Sequence, residues 1–70
     1  MYTSDFKPHE VRQRCELNGM DYSHVAGIFY IRYPEYRGKP DYFNTEYKTD
    51  DGEDAVIAAS KMRRRMEIAA

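Results

Sequence analysis

The chain has 70 residues, 11 Lys and Arg against 12 Asp and Glu, and a formal net charge of −1. This length excludes a second domain of ordinary size, so we expect one small domain over residues 1–70. The longest uncharged stretch, residues 22–31, is shorter than the roughly 20 apolar residues that span a bilayer. The N-terminus also lacks the basic and then apolar order of a signal peptide, so we expect a cytoplasmic protein without membrane contact.

The composition predicts a thin aromatic core. The chain holds seven Tyr and three Phe but few Leu and Val, and tyrosine rings can fill a core while their hydroxyls stay in water. A domain of this size buries roughly 60% of the surface that its unfolded chain exposes. We therefore expect a folded domain of marginal stability.

The first predicted element is a short helix over residues 4–17. Ser4 or Asp5 can cap its start, Pro8 suits a first turn, and the Asn18-Gly19 pair ends it. Its main apolar pair, Val11 and Cys15, lies one turn apart on one face. The helix must therefore dock on something larger.

Two antiparallel strands are predicted over residues 25–33 and 42–49, because both are rich in β-branched and aromatic residues. The loop between them, residues 34–40, holds two prolines and a glycine. Residues 20–24 are either a third strand or a lead-in to the first one. The sheet thus has two or three strands.

The alternation of side chains along a strand assigns its two faces. It places Phe29 and Ile31 of the first strand on one face, which we expect to be the core face. On the second strand we expect Phe43 and Tyr47 to join them. The intervening side chains then point outward.

The last predicted element is a helix that starts at the acidic run of residues 50–54, where Thr49 or Asp50 can cap it, and runs to the end of the chain. Acids at its start and cations at residues 61–65 suit the helix dipole. Its core-facing stripe is expected to be Ala55, Ala59, Met62 and Met66.

Ile57 and Ile68 fall on the opposite side of this helix. Either the N-terminal helix covers them or they contact another molecule, and the small size of the domain favours the first alternative. The fold class that follows is α+β, with a small antiparallel sheet packed by a C-terminal helix. The short N-terminal helix closes one edge or end of the sheet.

The residues that could carry chemistry do not form a catalytic set. Cys15 has neighbouring arginines but no base or pocket that the sequence reveals, so we interpret it as a small buried residue. The spacings of His9, Cys15 and His24 match no zinc pattern, and the acidic run lacks calcium-loop spacing. We expect no catalytic residue, no metal and no cofactor. We therefore expect that the protein is not an enzyme.

The outward side of the sheet is the predicted site of partner binding. Tyr and Arg are enriched where protein interfaces concentrate their binding energy. The candidate residues on the strands and the adjoining loop are Tyr30, Arg32, Tyr36, Arg37, Tyr42, Asn44 and Lys48. Two alternatives stay open, since tyrosines on a sheet also form ordinary cross-strand pairs, and the acidic run at residues 50–54 could instead meet a basic partner.

Short motifs follow one another in the second half of the chain. They are Gly27-Ile28-Phe29-Tyr30-Ile31-Arg32-Tyr33, Gly38-Lys39, Phe43-Asn44-Thr45 and Tyr47-Lys48-Thr49, followed by a helix that contains Ala55. This order resembles the arm-type DNA-binding domain at the N-terminus of phage and transposon integrases. The resemblance implies a three-stranded sheet that is backed by a helix and laid in the major groove. A similar strand, strand and helix order is found in small phage-encoded inhibitors of host enzymes.

Charge decides which of these functions we expect. Residues 27–49 hold four cations and three acids, whereas a protein that relies on phosphate contacts needs several uncompensated cations. The expected function is a small non-enzymatic binding protein, encoded by a phage or mobile element, that modulates or inhibits a host protein. The alternative is sequence-specific DNA binding of the integrase arm type, and a homodimer is left open.

Overall fold

The structure of the chain is a computed structural model that describes residues 6–69, with the side chain of Ala69 outside this description. The elements in chain order are α1 (Pro8–Leu17), β1 (Asp21–Val25), β2 (Ile28–Arg32), a 3-10 turn (Pro34–Tyr36), α2 (Asp41–Asn44), β3 (Tyr47–Thr49) and α3 (Gly52–Ala69). The strands form one antiparallel sheet in the order β1-β2-β3. The fold is α+β, as predicted. Among the described residues, no helix combines the length and the apolar character that a bilayer crossing requires.

Helix α1 begins later than the sequence predicts. Its N-cap is Lys7, Pro8 is its first residue, and Glu10 Oε1 accepts a hydrogen bond from the Lys7 backbone N–H at 2.9 Å. The predicted caps Ser4 and Asp5 lie outside the described residues. The helix ends, as predicted, just before Asn18 and Gly19.

Helix α1 lies beside α3 and over β1. Val11 and Cys15 are fully buried, which confirms the predicted apolar face. Where α3 begins, the chain passes so close to Gly52 that a Cβ added there would lie 2.8 Å from the backbone oxygen of Phe6. Glycine at this position therefore permits the N-terminal segment to pack against the start of α3.

The predicted strand over residues 25–33 is instead parts of two strands. Ala26 and Gly27 have φ angles of 52° and 80° and form a two-residue turn between β1 and β2. Two-residue turns of this kind match the twist of the paired strands. Of the two alternatives for residues 20–24, a third strand or a lead-in, the structure shows the strand, β1. The sequence signal was weak because alanine rarely adopts a positive φ.

The predicted strand over residues 42–49 is wrong in its first half, since β3 begins only at Tyr47. Residues 41–44 form the single helical turn α2, which Thr45 closes by donating a hydrogen bond from Oγ1 to the Asp41 carbonyl at 2.6 Å. Phe43 consequently does not join the core, and 61% of it is exposed. Tyr47 does lie on the core side but at the open edge of the sheet.

The core lies between the sheet and the two longer helices. Its buried members are Val11, Cys15, Met20, Phe29, Ile31, Ala55, Ala58, Ala59 and Met62. The alanine stripe of α3 is confirmed, with Met66 packed against its end. Ile57 and Ile68 are 47% and 85% exposed, so the expectation that α1 covers them is wrong. Helix α1 packs on the other flank of α3, beside β1.

The acidic run starts α3. Asp51 Oδ1 accepts a hydrogen bond from the Glu53 N–H at 3.1 Å, while Thr49 Oγ1 accepts one from the Asp51 N–H at 3.1 Å. Asp51 therefore caps the helix, in place of the predicted Thr49 or Asp50. The run has a structural role at the positive end of the helix dipole.

Candidate functional site

The strand register divides the sheet into a core face and an outer face. Cross-strand partners share a face, and the pairs Ser23 with Tyr30 and Tyr30 with Lys48 lie opposite the buried Phe29 and Ile31. We call this side the outer face. Its strand residues are Asp21, Ser23, Val25, Ile28, Tyr30, Arg32 and Lys48.

The connection from β2 to β3, residues 33–46, lies against one end of the outer face. The Arg32 guanidinium carbon is 5.4 Å from the ring centre of Tyr42 and 5.1 Å from that of Phe43. The Tyr42 hydroxyl donates a hydrogen bond to Asp21 Oδ2 at 2.7 Å. The outer face is therefore covered by α2 at the Arg32 end and open at the hairpin end.

Arg32 is the centre of a rigid polar and aromatic cluster. Its Nε donates to Glu46 Oε1 at 2.7 Å and its Nη1 donates to Ser23 Oγ at 3.2 Å. The side chains of Arg32 and Glu46 are only 18% and 14% exposed. The guanidinium also lies 5.2 Å from the ring centre of Tyr30. Arg32 therefore holds other side chains in place and offers little exposed surface to a partner.

Asp21 ties the β2–β3 connection to β1. It accepts two hydrogen bonds from Arg37, one of them from Nε at 2.7 Å, and one from Tyr42. The hydrogen bonds from Arg37, aided by that from Tyr42, hold the pKa of Asp21 below its usual value. The resulting stabilisation is present above the pKa of Asp21 in the unfolded chain. It is lost as the pH falls through the lower pKa of the folded state.

The predicted binding residues lie on β2, on β3 and on the connection between them, which includes α2. Tyr30, Arg32 and Lys48 lie on the outer face, as predicted. Tyr42 and Asn44 were predicted on a strand and instead belong to α2, where Asn44 is exposed. Tyr36 and Arg37 belong to the connection itself, and the Tyr36 ring packs edge to face on Tyr33 at 5.7 Å between centres.

Sequence reasoning missed the most exposed aromatic of this region. Phe43 on α2 and Tyr30 on β2 both contact the Arg32 guanidinium, and Ile28 and its cross-strand partner Val25 continue the line toward the hairpin. Phe43 and Val25 are largely exposed, whereas Tyr30 and Ile28 are half-buried. We call these four residues the apolar row. The Pro40-Asp41 pair before Phe43 was the available signal, because proline followed by aspartate favours a helical turn over a strand.

The residues considered for chemistry are apart from this face. Cys15 is buried, and burial, with a smaller effect of the Glu16 charge, raises the pKa of its thiol to about 11. His24 stacks on Phe29 with ring centres 4.3 Å apart. In residues 6–69 no three His, Cys, Asp or Glu side chains are grouped so that they could hold a metal ion.

The buried thiol should be almost unreactive. At pH 8 we expect iodoacetamide to alkylate Cys15 of the folded chain at least about a hundredfold more slowly than Cys15 of the chain in 8 M urea, because little thiolate forms and the sulfur is covered. Mass spectrometry of timed samples measures both rates. Equal rates would show that α1 leaves the sheet readily.

The outer face thus combines the apolar row, which is exposed at both of its ends, with the ion pairs of Arg32 and Asp21. Its end at Arg32 is held by Glu46 and Asp21, and its end at Val25 is a free hairpin. Comparisons with models of protein families, with curated proteins and with solved structures found no match to this chain.

Proposed function

We propose that the chain is a small non-enzymatic binding protein that holds a protein partner on its outer face. Phe43 carries this proposal, because an aromatic side chain that is 61% exposed stands over a guanidinium that is already fixed. Exposed apolar side chains that adjoin one another mark interaction sites, and aromatic anchors supply much of the binding energy of protein interfaces.

The fixed base of the apolar row supports tight binding by a small surface. Binding costs free energy whenever side chains must be ordered, and preorganised side chains avoid part of this cost. Arg32 is held by Glu46 and Ser23, and it contacts the rings of Tyr30 and Phe43 from below. Each of these two rings therefore already has a contact with Arg32 before a partner binds.

Polar and charged groups flank the apolar row. Lys48 and Arg37 are largely exposed, and the exposed Asn44 lies on α2 next to Phe43. A polar rim around an apolar centre is the usual composition of protein interfaces. The partner that such a surface suits is a host protein, and a phage or mobile element would use a compact chain of this kind to modulate or inhibit it.

The second candidate is DNA binding of the integrase arm type. The sheet order and the position of α3 behind the sheet favour it, since they leave the outer face opposite the helix. The cations count against it. Arg32 and Arg37 each bind a carboxylate, and Lys48 lies 4.0 Å from Glu46, whereas phosphate contacts need free cations. We therefore place the protein partner first.

The test is capture of a partner from a bacterial lysate on the immobilised chain, followed by identification and purification of what is retained. Phe43→Ser should weaken binding of the purified partner at least tenfold, since loss of one anchor typically costs about 2 kcal/mol. Leu17→Ser is the matched control. It removes another exposed apolar side chain, at the end of α1, and should leave the affinity unchanged.

Two further measurements keep the outcomes distinct. Val25→Ser removes the other end of the apolar row without touching α2 and should also weaken binding, with the circular dichroism spectrum unchanged. Equal binding by all variants would contradict the proposal. Tight binding of random duplex DNA that falls steeply between about 50 and 200 mM salt would support the second candidate instead.

A further inference from the structure

A groove runs between the edge strand β3 and helix α3, on the opposite side of the sheet from the apolar row. Its volume is about 180 Å³. Tyr47, Ile57 and Ala58 form its apolar walls, with Asp54 toward the start of α3 and Lys61 and Arg65 farther along the helix. The Tyr47 hydroxyl donates a hydrogen bond to Asp54 at 2.8 Å, which fixes the wall that the strand contributes.

The cations of the groove have no partner in the described part of the chain. Among residues 6–69, no carboxylate lies within ion-pair distance of Lys61 or Arg65, while Arg63 on another side of α3 pairs with Glu67. Ile57 is 47% exposed, although it borders the buried Ala58. The groove thus presents cations that have no ion pair within residues 6–69, next to uncovered apolar surface.

The spacing of the opposite charges identifies an occupant. Asp54 and Arg65 are eleven residues apart, which is close to three helical turns or roughly 16 Å, so both lie on one side of α3. A second α3 that runs antiparallel alongside would place its Arg65 next to Asp54 and its Asp54 next to Arg65. The same register sets Ile57 opposite Met62 of the second copy, which is largely buried at the floor of the groove, and Ala58 opposite the stem of Lys61.

We propose that this groove is the contact between two copies of the chain, related by a two-fold axis. A surface that meets itself across a two-fold axis must be self-complementary, and the order of acid, apolar wall and cation along α3 meets that condition. A uniformly acidic partner would oppose Asp54, and a uniformly basic one would oppose Lys61 and Arg65. A dimer formed in this way leaves the outer face of each copy free, whatever that face binds.

A thin core gives such a contact a physical purpose. The buried set is dominated by small residues and contains only two large side chains from the sheet, Phe29 and Ile31. Covering Tyr47 and Ile57 on both copies would add apolar burial to a domain that has little. Because the contact is small, we expect a dissociation constant of about 1–100 µM.

Sedimentation velocity between about 1 and 500 µM protein measures this equilibrium. We expect the mass to rise from the 8.3 kDa monomer to the dimer over that range. Arg65→Asp sets two carboxylates against each other at each end of the contact and should raise the dissociation constant at least tenfold. Arg64→Asp makes the same change of charge at the next residue, outside the lining of the groove, and should leave the dissociation constant within threefold.

Two more variants test the apolar wall and the charge pairing separately. Ile57→Asp places a charge in the apolar wall and should abolish the dimer, and Asp54→Arg combined with Arg65→Asp should restore association that Arg65→Asp alone removes. Phe43→Ser should leave the dimer unchanged. A negative result for the dimer is therefore distinguishable from a negative result for partner binding on the outer face. A monomer at 500 µM, or a dimer that tolerates both Arg65→Asp and Ile57→Asp, would overturn the proposal.

Discussion

Replacement of Ala59 by Leu is expected to destabilise the fold by about 1–3 kcal/mol, a large share of the free energy of unfolding of a 70-residue domain. Ala59 is fully buried where α3 packs against the sheet, and a larger side chain there must displace its neighbours. Urea unfolding at low micromolar concentration, followed by circular dichroism, measures the loss.

Ala58→Leu is the matched control for this prediction. Ala58 is also buried, but it borders the groove beside β3, so added methyl groups can extend into open space. We expect it to cost less than half as much as Ala59→Leu. Equal losses would show that the sheet also confines Ala58 tightly.

Arg32→Met is expected to cost about 3 kcal/mol and to release α2 from the sheet. Glu46 would remain mostly covered with only the exposed Lys48, at 4.0 Å, as its ion-pair partner within residues 6–69, and removal of one member of a largely covered ion pair is strongly destabilising. The rings of Tyr42 and Phe43 would also lose their cation–π contacts with the Arg32 guanidinium. Thermal unfolding and the near-ultraviolet circular dichroism of the tyrosines report the two effects.

Lys48→Met provides the comparison for Arg32→Met. Lys48 also faces Glu46, but at 4.0 Å and from an exposed position, so its loss should change stability by less than about 0.5 kcal/mol. Glu46→Gln added to Arg32→Met should recover part of the stability, because it removes a mostly covered charge that Arg32 no longer compensates. Absence of any recovery would show that the aromatic contacts, not the ion pair, dominate.

Helices α1 and α3 and the two faces of β2 were predictable because they depend on local periodicity. The alanine stripe of α3 and the alternation of Phe29 and Ile31 with Tyr30 and Arg32 follow from the spacing of side chains alone. The turn at Ala26 did not follow, since alanine at a positive φ is stabilised by the pairing of the strands around it. Helix α2 did not follow either, because its aromatic residues favour a strand when considered alone.

The candidate site was predictable as a face but not as a set of contacts. Alternation placed Tyr30 and Arg32 outward, yet it carries no information on which distant residue a side chain meets. The bond between Arg32 and Glu46 joins residues 14 positions apart, and that between Asp21 and Tyr42 joins residues 21 apart. Both exist only because residues 33–46 fold back onto the sheet.

The division of the sheet into a core face and an outer face has an evolutionary consequence. Val25, Ile28 and Phe43 are not part of the buried core, so under the proposed function substitutions there would change the partner that the surface binds at little cost in stability. Arg32 is the exception, since it supports the same surface from beneath. Related chains could diverge rapidly in specificity while Arg32 and Glu46 stay the same. This pair would then be conserved among them after the other residues of the surface had changed.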